Sequence, residues 1–156
     1  NFDEDAFLRL ADRLSVRLGE QAVLMAEHQD SHIPERAESL TVFNTRLTQE
    51  QHCFQETGPR PLRMFLPPEH VDVVAEVPDG PPVRLTWRRV LRKIVRADGP
   101  ERIAPEWWKL SEKGARARDY YRVEDEEGRR YWIFRNGLYD DNRGGTPQWY
   151  VHGVFA

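Results

Sequence analysis

The sequence is short of several features whose absence narrows the range of functions. A single cysteine, Cys53, excludes an intramolecular disulfide and suits a reducing compartment. No apolar run approaches the ~20 residues needed to cross a bilayer, and the start carries no signal-peptide pattern. The net charge of -3 gives no overall nucleic-acid or membrane signature. We therefore expect a soluble cytoplasmic protein and, because the chain opens on Asn1, a piece of a longer one.

The chain also lacks the motifs that carry chemistry. It contains no P-loop, dinucleotide fingerprint or nucleophile elbow. The acidic clusters at residues 124–127 and 140–141 stand beside glycines in predicted turns, where carboxylates are common because they solvate loops. The five histidines show no zinc-ligand spacing with Cys53. The sequence therefore predicts a protein that is not an enzyme and that binds no metal or other cofactor.

The first 28 residues predict a helix followed by a short strand. Apolar residues recur at helical spacing over residues 3–18, Asp3 suits the N-cap, and Gly19 suits the C-terminal end. Residues 22–26 (AVLMA) indicate a strand. A helix and a lone strand cannot bury their apolar faces by themselves, so either they pack on the rest of the chain or they dock on a partner. The predicted partner-binding residues are Phe7, Leu10, Ala11, Leu14, Leu18, Val23, Leu24 and Met25.

The remainder predicts an α+β protein with a docking arm at 1–28, a linker at 29–60 and a β-rich interaction domain at 61–156. The linker shows no steady hydrophobic period, and Pro34 disfavours a helix through it. The β-rich domain predicts a small antiparallel barrel or a curled sheet. Its predicted strands are residues 62–66, 71–77, two strands within 83–97, a hairpin of 120–124 with 129–135, and 148–155. Residues 83–97 also fit one helix face, but they stand among strands and lack helix caps.

A basic stripe near residue 90 has two interpretations. With Arg84 and Trp87 nearby, it predicts either contact with a nucleic-acid backbone or a solvated face balanced by Asp98 and Glu101. The candidate nucleic-acid residues are Arg88, Arg89, Arg92, Lys93 and Arg96. The aromatic residues of the β-rich half are expected to divide by strand alternation, with about half in the core and the others forming a contact surface.

Several separated blocks resemble the C-terminal region of the ImuB family. Members of this family are similar to Y-family DNA polymerases but have lost polymerase catalysis. The blocks are residues 31–37 (SHIPERA), 99–103 (GPERI), 106–108 (EWW), 118–124 (RDYYRVE), 128–135 (GRRYWIFR) and 149–156 (WYVHGVFA). The resemblance implies a hub of error-prone translesion synthesis in the damage-induced (SOS) mutasome. Its implied partners are a RecA-like ImuA-type protein and an error-prone C-family DNA polymerase. DNA is the partner in the alternative function that the basic stripe predicts, a module that holds damaged template near the polymerase. Contact with the sliding clamp is expected through regions outside this sequence.

The start of the chain is similar to the N-terminal helix and strand of RecA, which dock on the neighbouring protomer in a RecA filament. The matching positions are Phe7, Ala11, Leu14, Leu18, Gly19, Ala22, Val23 and Leu24. RecA-type sequences usually place Met where Leu24 stands, and here Met25 follows one step late. This likeness implies that the helix and strand dock on the RecA-like partner in place of a RecA neighbour.

Overall fold

The computed structural model describes residues 3–43, 59–76, 80–109, 114–139 and 145–156. The chain divides into two compact units, residues 1–56 and residues 57–156. Residues 44–58 of the predicted linker lie outside the described part of the chain, as do Asp140 and Asp141. The helix of the described residues is too short and too polar to span a membrane.

The first unit begins with helix α1, Glu4–Leu18, as the sequence predicted. The Asp3 carboxylate accepts a hydrogen bond of 2.9 Å from the Ala6 backbone N–H, which satisfies a donor that the first turn leaves open. Glu4 and Asp5 place negative charge at the positive end of the helix dipole. Gly19 ends the helix at a φ of 105°, a conformation that residues with a Cβ rarely adopt.

A two-stranded antiparallel sheet follows the helix. Strand β1, Leu24–His28, starts two residues later than predicted and pairs with strand β2, Glu38–Val42. The expectation of an unpaired strand is therefore wrong, because β2 lies within the stretch assigned to a linker. Pro34 opens a 3-10 turn, Pro34–Arg36, between the two strands. The alternation in β2 rests on only Leu40 and Val42, too few apolar residues to stand out in a polar stretch.

The second unit is a closed barrel of six antiparallel strands, which confirms the predicted β-rich barrel. Each strand pairs with the next, and the last pairs with the first, so the sheet has no outer strand. The strands are β3 (Arg63–Ala75), β4 (Pro82–Trp87), β5 (Val90–Ile103), β6 (Arg118–Asp125), β7 (Arg130–Asn136) and β8 (Gln148–Val154).

For the strands of the barrel, the sequence predicted one detail correctly and another wrongly. Residues 83–97 form two strands, as predicted, joined by a tight turn in which Arg88 and Arg89 have φ values of 51° and 66°. The predicted separation of residues 62–66 and 71–77 into two strands is wrong, because β3 runs through Pro67 and Pro68 between them. Its pairing with β8 is irregular between Met64 and Glu69, so the prolines, which have no N–H, lie where the ladder is interrupted.

Strand alternation sorts the apolar side chains into an inner and an outer cluster. The barrel interior holds Val71, Leu85, Ile94, Tyr121, Val123, Tyr131, Ile133, Trp149 and Val151. A second buried cluster consists of Ile103, Tyr120, Trp132 and Phe134, with Met64, Tyr150 and Phe155 packed against it. Neighbouring residues such as Tyr120 and Tyr121 thus belong to different clusters, as expected of successive residues in a strand. Both members of such pairs are buried.

We expect Gly153→Ala to destabilise the barrel by about 1–3 kcal/mol, a typical cost of overpacking. A Cβ at this position would lie 2.5 Å from the Pro61 side chain and 2.7 Å from the Arg63 carbonyl oxygen, and the backbone atom cannot move aside freely. Urea unfolding followed by tryptophan fluorescence measures the change, because all five tryptophans lie in the second unit. Leu62→Ala, at an almost fully exposed position, is the control and should change stability by less than ~0.5 kcal/mol. Equal stability of both variants would contradict the close contact at Gly153.

Candidate docking surfaces

One edge of the α1 apolar stripe is exposed. The helix buries Ala11, which is 3% exposed, and half-buries Leu8 and Ser15 beside it. Leu10 and Leu18 are 54% and 68% exposed, and Leu14 lies between them. These three leucines stand four residues apart and therefore form one line along the helix. The unit thus uses only part of the apolar stripe for its own packing.

The predicted partner-binding residues divide between internal packing and exposure. Phe7 makes an edge-to-face contact with Phe43 at 5.6 Å between ring centroids. The Phe43 N–H donates to the Val23 carbonyl oxygen, so this contact ties the helix to the end of the sheet. Val23 and Met25 are half-buried, while Leu24 is exposed. Phe7 is itself 41% exposed despite its contact with Phe43, and the other exposed members on the helix are Leu10, Leu14 and Leu18.

The β1–β2 sheet presents a second apolar surface that the sequence did not reveal. Leu24 lies opposite Val42 and Ala26 lies opposite Leu40, so these four side chains share one face. All four are exposed, whereas the residues between them on each strand are half-buried. Leu40 and Val42 are the residues that sequence reasoning missed, because recognising them requires β2. Each strand of this sheet also has an unpaired outer edge among the described residues.

The candidate nucleic-acid residues do not form a single open basic surface. Arg88 binds Glu69 at 2.6 Å, and Arg96 binds Asp98 at 3.3 Å. Arg92 is half-buried and donates to Asp125, while Lys93 lies 3.6 Å from Glu126. Four of the five cations therefore have carboxylate partners, and Arg89 sits at the β4–β5 turn. The nucleic-acid role stays a prediction that this arrangement does not favour.

A fully buried carboxylate, Asp119, organises one wall of the barrel. Its oxygens accept two hydrogen bonds from Arg102, at 2.7 and 2.9 Å, and one from Arg135 at 2.9 Å. Burial alone raises the pKa of the Asp119 carboxyl, but the two guanidinium groups outweigh burial and hold the pKa below its ordinary value. Arg135 is itself buried, and its guanidinium lies over the rings of Tyr139 and Trp149. Asp119 therefore has a structural role, the neutralisation of a buried cation.

The acidic cluster at residues 124–127 has a comparable explanation. Asp125 accepts hydrogen bonds from the backbone N–H groups of Glu127 and Arg129 and from the Tyr131 hydroxyl. Burial raises the pKa of the Asp125 carboxyl, but these donors together with Arg92 lower it by more, so that the net shift is downward. Asp125 thus closes the β6–β7 turn. No group of three or more potential metal ligands occurs within the described ranges.

The outer aromatic cluster is packed around a buried histidine. Tyr120 stacks on Trp132 with ring centroids 4.3 Å apart, and the His152 ring lies nearly parallel to Trp132 at 5.3 Å. The Tyr120 hydroxyl and His152 Nδ1 are hydrogen-bonded at 2.9 Å. Arg60 lies over the Trp132 ring at 4.7 Å and forms two hydrogen bonds with Glu101. The predicted outward contact surface is thus largely buried at these positions.

Comparison with known proteins agrees with the resemblance seen in the sequence. The chain is 44% identical over 159 aligned residues to Protein ImuB of Caulobacter vibrioides, in each of two strains. The alignment covers 98% of this chain but 34% of the relative, so the chain spans about a third of the length of the curated relatives that it matches. No protein-family model matches the chain, and no solved structure matches it. The predicted resemblance to ImuB is therefore confirmed.

We expect Asp119→Asn to destabilise the barrel by about 3–5 kcal/mol near neutral pH, because it leaves the buried Arg135 without a counter-charge. The native carboxyl has a lowered pKa, so its stabilising effect is complete above its unfolded pKa of ~3.9 and is lost as the pH falls through the folded value. Urea unfolding at several pH values should therefore show the difference between native protein and variant shrinking in acid.

The matched control for this variant is Asp98→Asn. Asp98 forms ion pairs with Arg96 and Arg122 at the surface, where such pairs contribute less than about 1 kcal/mol. Equal destabilisation by the two substitutions at neutral pH would show that Asp119 neutralises no important buried charge.

Proposed function

We propose that this chain is a non-catalytic docking module of an ImuB-type protein in damage-induced mutagenesis. In this proposal the first unit binds a RecA-like, ImuA-type partner, and the barrel contributes further contacts within a translesion-synthesis assembly. The error-prone C-family polymerase is a candidate for these contacts. The sequence similarity to ImuB and the likeness of residues 7–25 to the RecA N-terminal element support this assignment.

The exposed leucine line of α1 is the observation that carries the proposal. The helix exposes Leu10, Leu14 and Leu18 along one line and does not bury them within the first unit. Contiguous exposed apolar surface of this kind is typical of interaction sites. An amphipathic helix that lays its apolar side into a groove of a partner is a common recognition mode.

The β1–β2 sheet offers the same partner a second binding surface. Its outer edges carry backbone groups that can hydrogen-bond a further strand, which the closed barrel cannot offer. The apolar face of Leu24, Ala26, Leu40 and Val42 lies on the same sheet. A RecA-like partner that received helix and strand together would bury both apolar surfaces. In this proposal β2 also belongs to the docking element, although the likeness to the RecA helix and strand does not extend to it.

We expect Leu14→Asp and Leu10→Asp each to weaken binding of the purified RecA-like partner at least 30-fold, the loss expected for a central apolar contact. A charged side chain on the leucine line would have to be desolvated in the complex. Isothermal titration calorimetry with the whole chain measures the affinity. Leu10 is the more exposed of the two, so its substitution tests the contact with less effect on the unit's own packing.

Val16→Asp is the matched control, because Val16 is exposed on the opposite side of the same helix. It introduces the same charge into α1, so far-UV circular dichroism and partner affinity should both resemble those of the native chain. Equal weakening by Val16→Asp, or native affinity of both leucine variants, would contradict docking through the leucine line.

A further inference from the structure

A patch on the outer side of β3, β4 and β5 combines exposed aliphatic side chains with two cations. Leu91 and Val95 on β5 are 65% and 58% exposed, and Lys93 between them is also exposed. Ile94 of the same strand is buried in the barrel interior, as strand alternation requires. Val74 of β3 is 60% exposed. We call these residues, together with Arg84, the β3–β5 patch.

The cations of the patch stand directly opposite each other. In the strand register Val74 pairs with Arg84, and Arg84 pairs with Lys93, so the three lie in one row across the sheet. Like charges at directly opposed positions are destabilising. Lys93 has Glu126 at 3.6 Å, but both side chains are well exposed, and such a pair contributes little. Arg84 forms no ion pair with any residue that the structure describes. Arg84 therefore keeps a positive charge without an ion pair among the described residues, and Lys93 is only weakly paired.

The barrel offers a partner only side chains on this side. In the rows of Val74 and Leu91, β4 pairs with β3 on one side and with β5 on the other, so its backbone is already paired and an occupant lies across the strands. It must bring carboxylates or phosphates to Arg84 and Lys93, and apolar groups to the three aliphatic side chains. Asp72, the exposed acid in the neighbouring row, lies opposite Thr86 and forms no ion pair with either cation.

The aliphatic character of the patch distinguishes between the two anionic classes of partner. Single-stranded nucleic acid binds proteins by stacking its bases on aromatic rings, and leucine and valine offer no ring. The exposed tryptophans, Trp107 and Trp108, follow the far end of β5. Phosphates alone would neutralise Arg84 and Lys93 but would leave Val74, Leu91 and Val95 in water. We propose that the β3–β5 patch binds an acidic, aliphatic peptide segment of a partner protein.

The β3–β5 patch is independent of the docking surface of the first unit. The patch residues belong to β3, β4 and β5, and the leucine line belongs to α1. Substitutions in one surface leave the other intact, so the two proposals fail separately. A segment that uses carboxylates on one side and leucine or valine on the other matches the chemistry of the patch.

The test uses the whole chain and a fluorescein-labelled ten-residue peptide that alternates leucine with glutamate. Two control peptides replace either every leucine with serine or every glutamate with lysine. We expect fluorescence anisotropy to show at least tenfold tighter binding of the leucine–glutamate peptide than of either control. Raising the salt concentration from 50 to 300 mM should weaken its binding several-fold, because the cations are exposed. No detectable binding at 1 mM peptide, or equal binding of the lysine peptide, would overturn the proposal.

Variants locate the binding on the barrel. Leu91→Glu and Lys93→Glu should each weaken peptide binding at least tenfold, and Leu91→Ser should weaken it without adding charge. Leu62→Glu, at a position that is 97% exposed elsewhere on the barrel, should bind like the native chain. All three positions are exposed, so thermal unfolding of the four variants should stay close to native. Undiminished binding by the Leu91 and Lys93 variants would place the peptide elsewhere and sink the idea.

A twelve-nucleotide single-stranded DNA is the competing probe. If the patch takes a peptide, the oligonucleotide should not displace the labelled peptide at 150 mM salt. Displacement, with an oligonucleotide affinity that falls in Lys93→Glu but not in Leu91→Ser, would identify a phosphate-binding surface and would overturn the peptide proposal.

Discussion

The pairing of β8 with β3 is the constraint on which the rest of the second unit depends. It converts six strands into a closed barrel, and it places Trp149 and Val151 in the interior beside Val71. It also brings Gly153 against Pro61, where a larger residue would not fit. Closure gives every strand two neighbours, so the barrel has no outer strand to which a partner could add another. The two-stranded sheet of the first unit has no such restriction.

Charge in the barrel is used largely for internal structure. Asp119 neutralises Arg102 and Arg135, and Asp125 joins the β6–β7 turn to Arg92 and Tyr131. A chain that is 31% charged but carries a net charge of only -3 has the composition for many such pairs. The same pairing explains why a basic stripe in the sequence need not be a basic surface in the fold. The β3–β5 patch differs in that Arg84 forms no ion pair with any residue that the structure describes.

The features that sequence could predict are those encoded locally. Asp3 and Gly19 mark the ends of α1, and the alternation from Tyr120 to Arg135 marks a hairpin. The barrel also followed from the succession of short strands. The features it could not predict depend on residues far apart in the chain. Strand β2 is recognisable only beside β1, and the path of β3 through Pro67 depends on an interruption in its pairing with β8.

The candidate site shows the same division. The apolar period of α1 predicts which residues form the stripe, but the coverage of each edge depends on the sheet. Ala11 packs internally and Leu10 does not, although both belong to the predicted set. Likewise, the sequence places Arg92 and Lys93 side by side, and only strand alternation sends one toward Asp125 and the other outward. Leu40 and Val42 carry no signal until their partners across the sheet are known.

Barrel closure also bears on how the second unit reaches its native state. Most strand pairs of the barrel join neighbours in sequence, such as β6 with β7, and can form early as local hairpins. The β3–β8 pair joins residues about 80 to 90 positions apart, and such non-local contacts carry the largest loop-closure cost and slow folding. Until β3 and β8 pair, both strands are open sheet edges in a chain rich in aromatic and β-branched residues. These two edges are therefore where an unclosed barrel is most open to intermolecular strand pairing and aggregation.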